Sequence, residues 1–231
     1  MKILAVVCSA GPASAAVVED GRVIASSYIN VKLTHSQTLL PMIKEMLGSA
    51  LLSLEDIDAF AVNSGPGSFT GIRIGISAIK GLAAPNNKPC FEVSTLESIA
   101  ENFKTFDCTL CAVMDARCNQ VYNAVFKIEN GEITRLCEDR AVLVESVQDE
   151  LKQIKDNIII AGDGAKLFKD FAQTARNVTI AKEPLSFQNA VGTALVAEKL
   201  YENSKGVSHL ELKPLYLRLP QAERELKEKK K

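Results

Sequence analysis

The chain has 231 residues, 47% of them hydrophobic and 24% charged, with no Trp and with 27 basic against 28 acidic side chains. That length allows one large domain or two small ones, either with a sizeable core. A formal net charge of −1 carries no footprint of a protein that grips nucleic acid unaided, so any RNA would be held mostly by another subunit.

The opening M-K-I-L-A-V-V-C-S-A-G-P imitates a secretory leader, but its apolar run stops at Ser9 and the apolar pattern resumes at residues 13–18. It reads as a first core strand. No stretch approaches the ~18 apolar residues that a membrane span needs. The six cysteines, at 8, 90, 108, 111, 118 and 137, follow neither a disulfide nor a zinc pattern, so the expected compartment is the cytoplasm.

Apolar runs at 3–8 and 13–18 are separated by S-A-G-P, and E-D-G at 19–21 hands over to a third strand at 22–29. Asp-Gly between apolar runs signals a hairpin, because a type I′ turn needs positive φ at both central positions. Residues 36–52 carry Leu39, Leu40, Ile43, Met46, Leu47 and Ala50 at helical spacing, and Pro41 must lie near the first turn or kink the helix. An apolar strand at 57–62 follows, then a helix opened by the glycine segment and running to about residue 84, then the strand F-E-V-S and a further helix.

The second half starts in the same order. T-L-C-A-V-M-D-A and V-Y-N-A-V-F-K-I read as paired strands, and E-N-G-E-I at 129–133 repeats the turn of E-D-G-R-V at 19–23. A polar helix at 145–155, the buried strand I-I-I-A, the turn G-D-G-A and two further helices complete it. Cys108 and Cys111 form a C-x-x-C, but in a strand residues three apart point to opposite faces, so the pair reads as inert. The Lys-rich end of the chain reads as a solvated, frayed helix end.

Two halves in matching order predict a duplicated α/β unit with a cleft between the copies. This is the plan of the actin, sugar kinase and Hsp70 superfamily, in which an acidic residue ends the first strand and phosphates sit against the first hairpin of each half. Here Val7 and Cys8 stand where a carboxylate would hold Mg²⁺. Ser9 and Asp115 remain as candidate nucleotide contacts, with Gly162 and Gly164 placed to approach an adenine or ribose; turn and core roles are the alternative for these residues.

Other chemistries lack parts. His35 and His209 are the two histidines, and Leu39 stands four residues after His35, so no second imidazole shares its helix face. There is no G-x-S-x-G elbow for a Ser hydrolase. S-G-P-G-S-F-T-G-I-R-I-G at 64–75 continues with Ile72 and Arg73 where a Walker loop requires Lys after its glycine. On the helix that this segment opens, Ile72, Ile76, Ile79 and Ala83 suit a sheet, while Gly71, Gly75, Ala78 and Leu82 form a neighbouring face of mostly small residues. Small residues four apart let helix backbones approach closely, which predicts a partner helix there.

With K-I-L-A-V, H-S-Q-T-L-L-P, the glycine segment, M-D-A-R with Q-V-Y-N-A, G-D-G-A and P-L-Y-L-R-L-P-Q-A-E-R, the chain resembles the TsaB family, also called YeaZ, over almost its whole length. The resemblance implies two tandem actin-like (ASKHA, RNase H-like) α/β domains, mixed sheets flanked by helices: 1–104 with the dimerisation helices, 105–208, and a segment 209–231 packing back on the first domain. It implies no catalysis, cofactor or metal of its own. TsaB-like proteins pair with a paralogue, TsaD, which carries the metal-binding histidine pair and transfers threonylcarbamoyl to a tRNA adenosine. A small ATPase, TsaE, joins them.

The family's dimers pack two helices from each chain as a four-helix bundle, against TsaD or a second copy. Carried onto this chain, that interface comprises His35, Leu39, Leu40, Ile43, Met46, Leu47, Gly71, Arg73, Gly75, Ala78 and Leu82. Where this chain has V-V-C-S at 6–9 the family usually reads I-D-T-S, which removes the Mg²⁺ carboxylate but leaves the dimer untouched. A glycoprotease-like metallopeptidase and a small-molecule kinase are the alternative readings.

Overall fold

The computed structural model describes residues 1–31, 33–183 and 185–218; the Lys-rich end and the last part of P-L-Y-L-R-L-P-Q-A-E-R lie outside the described residues. The first half contains β1 (Lys2–Val7), β2 (Ala13–Glu19), β3 (Arg22–Ile29), α1 (His35–Ser49), β4 (Ala59–Gly65), α2 (Phe69–Ala83), β5 (Cys90–Ser94) and α3 (Thr95–Ala100). The second contains β6 (Cys108–Arg117), β7 (Gln120–Glu129), β8 (Glu132–Arg135), β9 (Arg140–Leu143), α4 (Val144–Leu151), β10 (Ile158–Ala161), α5 (Lys169–Thr174), β11 (Val178–Ile180) and α6 (Ala190–Glu202).

Two mixed sheets result, ordered β3-β2-β1-β4-β5 and β11-β10-β6-β7-β8, with β9 on β7. In each, an antiparallel hairpin is extended on its other side by two parallel strands, so the second sheet repeats the first. The two Asx-Gly turns have the expected geometry: φ is +48° and +77° at Asp20 and Gly21, and +51° and +78° at Asn130 and Gly131. Pro41 lies in the second turn of α1 on its exposed side, where its missing N–H leaves the Gln37 carbonyl without a helical donor.

Strand alternation sends side chains to four apolar layers. Leu4 and Val6 of β1 face α1 and α2, whereas Ile3, Ala5 and Val7 face α6. Leu110, Ala112 and Met114 of β6 face α3, whereas Cys111 and Val113 face α4 and α5. Cys108 and Cys111 therefore lie in different layers, and burial pushes the Cys111 thiol up to about 12, which leaves it inert at neutral pH.

The helices between the sheets are exchanged. α3 follows the last strand of the first sheet but packs on the second, and α6 follows the last strand of the second but packs on the first. They cross closely: a Cβ on Gly192 of α6 would lie 2.5 Å from the Ser98 carbonyl oxygen of α3. Ser98 Oγ lies 2.8 Å from Thr193 Oγ1 at the same crossing. After α6 the chain returns to the first sheet, where Val207 bridges to Cys90 and Leu212 enters the core beside α2.

Candidate functional site

α1 and α2 lie on one face of the first sheet. Ser68 caps α2, its Oγ accepting the Gly71 N–H at 3.3 Å, and the Ser68 N–H donates to the Ser9 carbonyl at 2.8 Å, which ties the start of α2 to the loop after β1. Between the helices runs an open groove of about 540 Å³ whose walls include His35, Leu39, Leu40, Arg73, Ile74 and Ala78. Leu40 is 52% exposed and Ile74 is half-buried, so the groove presents apolar surface to solvent.

The structure corrects the inner part of the expected interface. Ile43, Met46 and Leu47 are buried in the protomer's own core, and Leu39 only floors the groove. Gly71 and Gly75 also turn inward: a Cβ on Gly71 would stand 1.9 Å from the Cys8 carbonyl oxygen, and one on Gly75 would stand 3.2 Å from Val62 Cγ2. They let α2 sit close on β1 and β4, and neither faces a partner helix. Leu82 is half-buried against the same core. Outward, α2 presents Thr70, Arg73, Ile74, Ser77, Ala78 and Gly81.

Between the two halves opens a cleft of about 440 Å³, walled by Ser9, Phe69, Asp115, Arg117, Asp163 and Arg218 among others. Val7 and Cys8, at the end of β1, are buried in apolar layers on opposite faces of the sheet. The second half supplies the carboxylates. Asp163 Oδ1 accepts the Asp115 N–H at 3.0 Å, Asp115 Oδ1 accepts the Arg117 N–H at 2.8 Å, and Lys166 Nζ lies 3.4 Å from Asp115 Oδ2. Burial holds the Asp163 carboxyl above the usual carboxylate range; the bond from Asp115 N–H opposes that shift and the Asp115 charge adds to it.

Ser9 is in place at the cleft but almost fully buried, with its Oγ accepting from Gln188 Nε2 at 3.3 Å. Gly162 and Gly164 are required by the packing of the second sheet. A Cβ at Gly162 would lie 1.8 Å from the Val113 carbonyl oxygen and one at Gly164 would lie 2.9 Å from Met114 C, so both glycines admit the backbone of β6. Asp163 between them, and Arg218 in the C-terminal motif, are among the cleft residues that sequence reasoning passed over; both stood inside motifs already singled out.

At the cleft mouth, Arg117, Cys118 and Asn119 join β6 to β7 with φ of +66°, +53° and +55°. A left-handed conformation costs a non-glycine residue about 1–2 kcal/mol, so three in succession must be held by their surroundings. The holders are Asp115 on the Arg117 N–H, the Val144 N–H on the Asn119 carbonyl at 3.1 Å, Glu145 Oε1, which accepts from Asn119 Nδ2 at 2.6 Å, and Arg218 Nη1, which donates to the carbonyls of Ala116 and Arg117.

Comparison with known proteins agrees with this architecture. The family model described as "TsaD: tRNA N6-adenosine threonylcarbamoyltransferase" matches residues 23–226. A relative from Escherichia coli (strain K12), the tRNA threonylcarbamoyladenosine biosynthesis protein TsaB, is 33% identical over 94% of this chain and 95% of its own. A tRNA N6-adenosine threonylcarbamoyltransferase from Kosmotoga olearia is 33% identical over 46% of this chain and 37% of its own. The crystal structure of a Pseudomonas aeruginosa protein with similarity to peptidase YEAZ superposes with a TM-score of 0.82 at 27% identity, covering 94% of this chain and 99% of that one. With the duplicated sheets, the exchanged helices and this extent of likeness, the chain belongs to the TsaB (YeaZ) family.

Proposed function

We propose that the chain is a non-catalytic subunit of the machinery that makes threonylcarbamoyladenosine in tRNA, and that it docks a TsaD-type paralogue on the groove between α1 and α2. The observation that carries the reading is that groove: two amphipathic helices, side by side at the surface, leave Leu40, Ile74 and Ala78 uncovered among the described residues. A transferase of related fold fits as the partner, because the family model described for that enzyme matches residues 23–226 of this chain. Related chains carry related helix pairs, and two such pairs close into a four-helix bundle. In this reading a TsaE-like ATPase completes the assembly, and self-association through the same face competes in the isolated chain.

Catalytic silence is supported by the site's chemistry. His35 Nε2–H donates to the Ala10 carbonyl at 2.8 Å, so this imidazole is engaged in fixing a loop. A cleft with Val7 at the end of β1 lacks the carboxylate through which that strand would hold a divalent cation. The test is threonylcarbamoyl transfer to tRNA by the chain alone, by the TsaD-type enzyme alone and by both. Turnover is expected only when the TsaD-type enzyme is present, with stimulation by this chain; turnover by the chain alone defeats the proposal.

The tRNA is expected to reach the chain only through the complex. With 27 basic side chains balanced by 28 acidic ones, the free protein is expected to bind tRNA no tighter than roughly 10⁻⁴–10⁻⁶ M at physiological salt. Submicromolar binding in a filter or anisotropy assay would reveal a basic patch assembled by the fold.

A further inference from the structure

The groove's two large polar side chains both bond backwards, onto segments that wall the cleft. Arg73 Nε–H donates to Tyr216 Oη at 2.6 Å, and the guanidinium carbon lies 5.5 Å from the centre of the Tyr216 ring. Tyr216 in turn lies against Phe69, ring centres 4.6 Å apart, and Phe69 is itself a wall of the cleft. Two residues later Arg218 grips the Ala116 and Arg117 carbonyls. On the other side of the groove, His35 Nε2–H bonds Ala10 in the loop that forms the opposite wall.

The stretch that makes these contacts belongs to no helix or strand, so its position is set by what it touches. Leu215 is anchored on the first half: its N–H donates to the Ser64 carbonyl at 2.8 Å, and Gly65 passes so close that a Cβ there would lie 2.3 Å from the Leu215 carbonyl oxygen. Leu217 packs into the second sheet's core. The chain therefore crosses from one half to the other within three residues, and Tyr216, at the midpoint, is held from the groove by Arg73.

We infer that the groove and the cleft are coupled through residues 215–218: a partner that draws Arg73 toward itself releases Tyr216, loosens the grip of Arg218, and frees the left-handed turn at 117–119 to relax. The part that involves a partner rests on the docking reading above. Coupling between two sites requires a contact that differs between two states, and the Arg73–Tyr216 hydrogen bond supplies it, since it is made in the free chain and competed for in the docked one. The turn, strained and held from outside, is the element with a second conformation to adopt.

Cys118 sits in the middle of that turn and is exposed, whereas Cys8, Cys90, Cys108 and Cys111 are buried, so the chain carries its own reporter. The experiment measures the rate at which iodoacetamide, a neutral reagent, alkylates Cys118, with the site read by peptide mass spectrometry. In the isolated chain, Tyr216→Phe removes one hydroxyl without changing charge or the ring contact with Phe69. The alkylation rate is expected to rise roughly two- to tenfold, the range set by losing one hydrogen bond of ordinary net strength. Arg73→Ala should give a similar rise, and the double variant no further one, while Arg176→Ala, on a distant exposed turn, leaves the rate unchanged.

Melting temperatures identify any variant that has lost its fold, and Arg73→Ala then serves in place of Tyr216→Phe. Wild-type alkylation rates in both variants overturn the inference. Saturating TsaD-type partner, with binding verified by co-elution, is expected to raise the rate in the wild type and to add nothing in Tyr216→Phe. Bound partner that leaves the wild-type rate unchanged also overturns the inference. Failure of the partner to bind, with the Tyr216→Phe rise intact, defeats the docking reading and leaves the relay within the chain supported.

Discussion

Toward the sheet, α2 presents Gly71 and Gly75 among Ile72, Ile76 and Ile79; toward solvent it presents Ser77, Ala78 and Gly81. Each face carries small residues, for different reasons. On the inner face size is dictated by collision, since a Cβ at position 71 meets a carbonyl oxygen at 1.9 Å. On the outer face nothing dictates it: a Cβ at Gly81 would meet no atom within 4 Å. A glycine whose neighbours forbid a methyl group serves the protomer. One with open space around it, in a helix where glycine is unfavourable, needs another explanation, and its place one turn beyond the groove residues Ser77 and Ala78 offers one.

The largest expected effect tests the inner face. Gly75→Arg would place a long charged side chain against Val62 in the core, where overpacking costs about 1–3 kcal/mol and an unpaired buried charge about 3–5 kcal/mol. Against a total stability of roughly 5–15 kcal/mol, this variant is expected to be unfolded or to melt more than about 10 °C low. Gly71→Ala adds one methyl against a backbone carbonyl that cannot easily yield and is expected to cost about 3 kcal/mol, read as a lower urea midpoint. If either variant keeps its melting temperature and loses only its partner, the comparison between the faces is wrong.

On the outer face the effects should reverse. Ala78→Arg puts the same kind of side chain into a groove open to solvent, so the free protomer is expected to melt within about 2 °C of wild type. Association with a TsaD-type partner should weaken about a hundredfold, equivalent to about 2.8 kcal/mol lost from a helix–helix seam. Titration calorimetry and differential scanning calorimetry on one preparation measure both. Unchanged affinity would remove this groove from the interface.

The duplicated plan was legible because local chemistry specifies it: Asp20-Gly21 and Asn130-Gly131 both adopt the positive-φ pair that their turns need. The placement of Cys108 and Cys111 on opposite faces of the sheet followed from strand alternation alone. The exchange of α3 and α6 was not legible, since a helix's apolar stripe says that it packs and not on which sheet. A helical wheel likewise placed Gly71 and Gly75 beside Ala78 and Leu82 without knowing that the Cys8 carbonyl lies under them. At the cleft, glycine spacing drew attention to 162 and 164, while Asp163, a carboxylate that reaches the cavity beside Asp115, stands between them. The C-terminal motif stood out as a pattern, but only three-dimensional contact joins Tyr216 to Arg73 and Arg218 to the turn at 117–119.

The smallest effect is the most discriminating. Gly81→Ala introduces a methyl group into open space near the end of α2, where helix propensity favours Ala over Gly by up to about 1 kcal/mol. In the free chain the substitution is therefore expected to stabilise, raising the melting temperature by about 1–4 °C. If the outer face is small because a partner helix approaches it, the same methyl group must cost association, and the affinity for the TsaD-type partner should fall by a few-fold as stability rises. These opposite signs within one variant separate the two faces more sharply than a disruptive change can, because a damaged fold lowers both quantities together. A Gly81→Ala chain that is both more stable and equally well bound would show that the outer glycine lies beyond the seam, and would move the docking face toward His35, Leu40 and Arg73 at the other end of the groove.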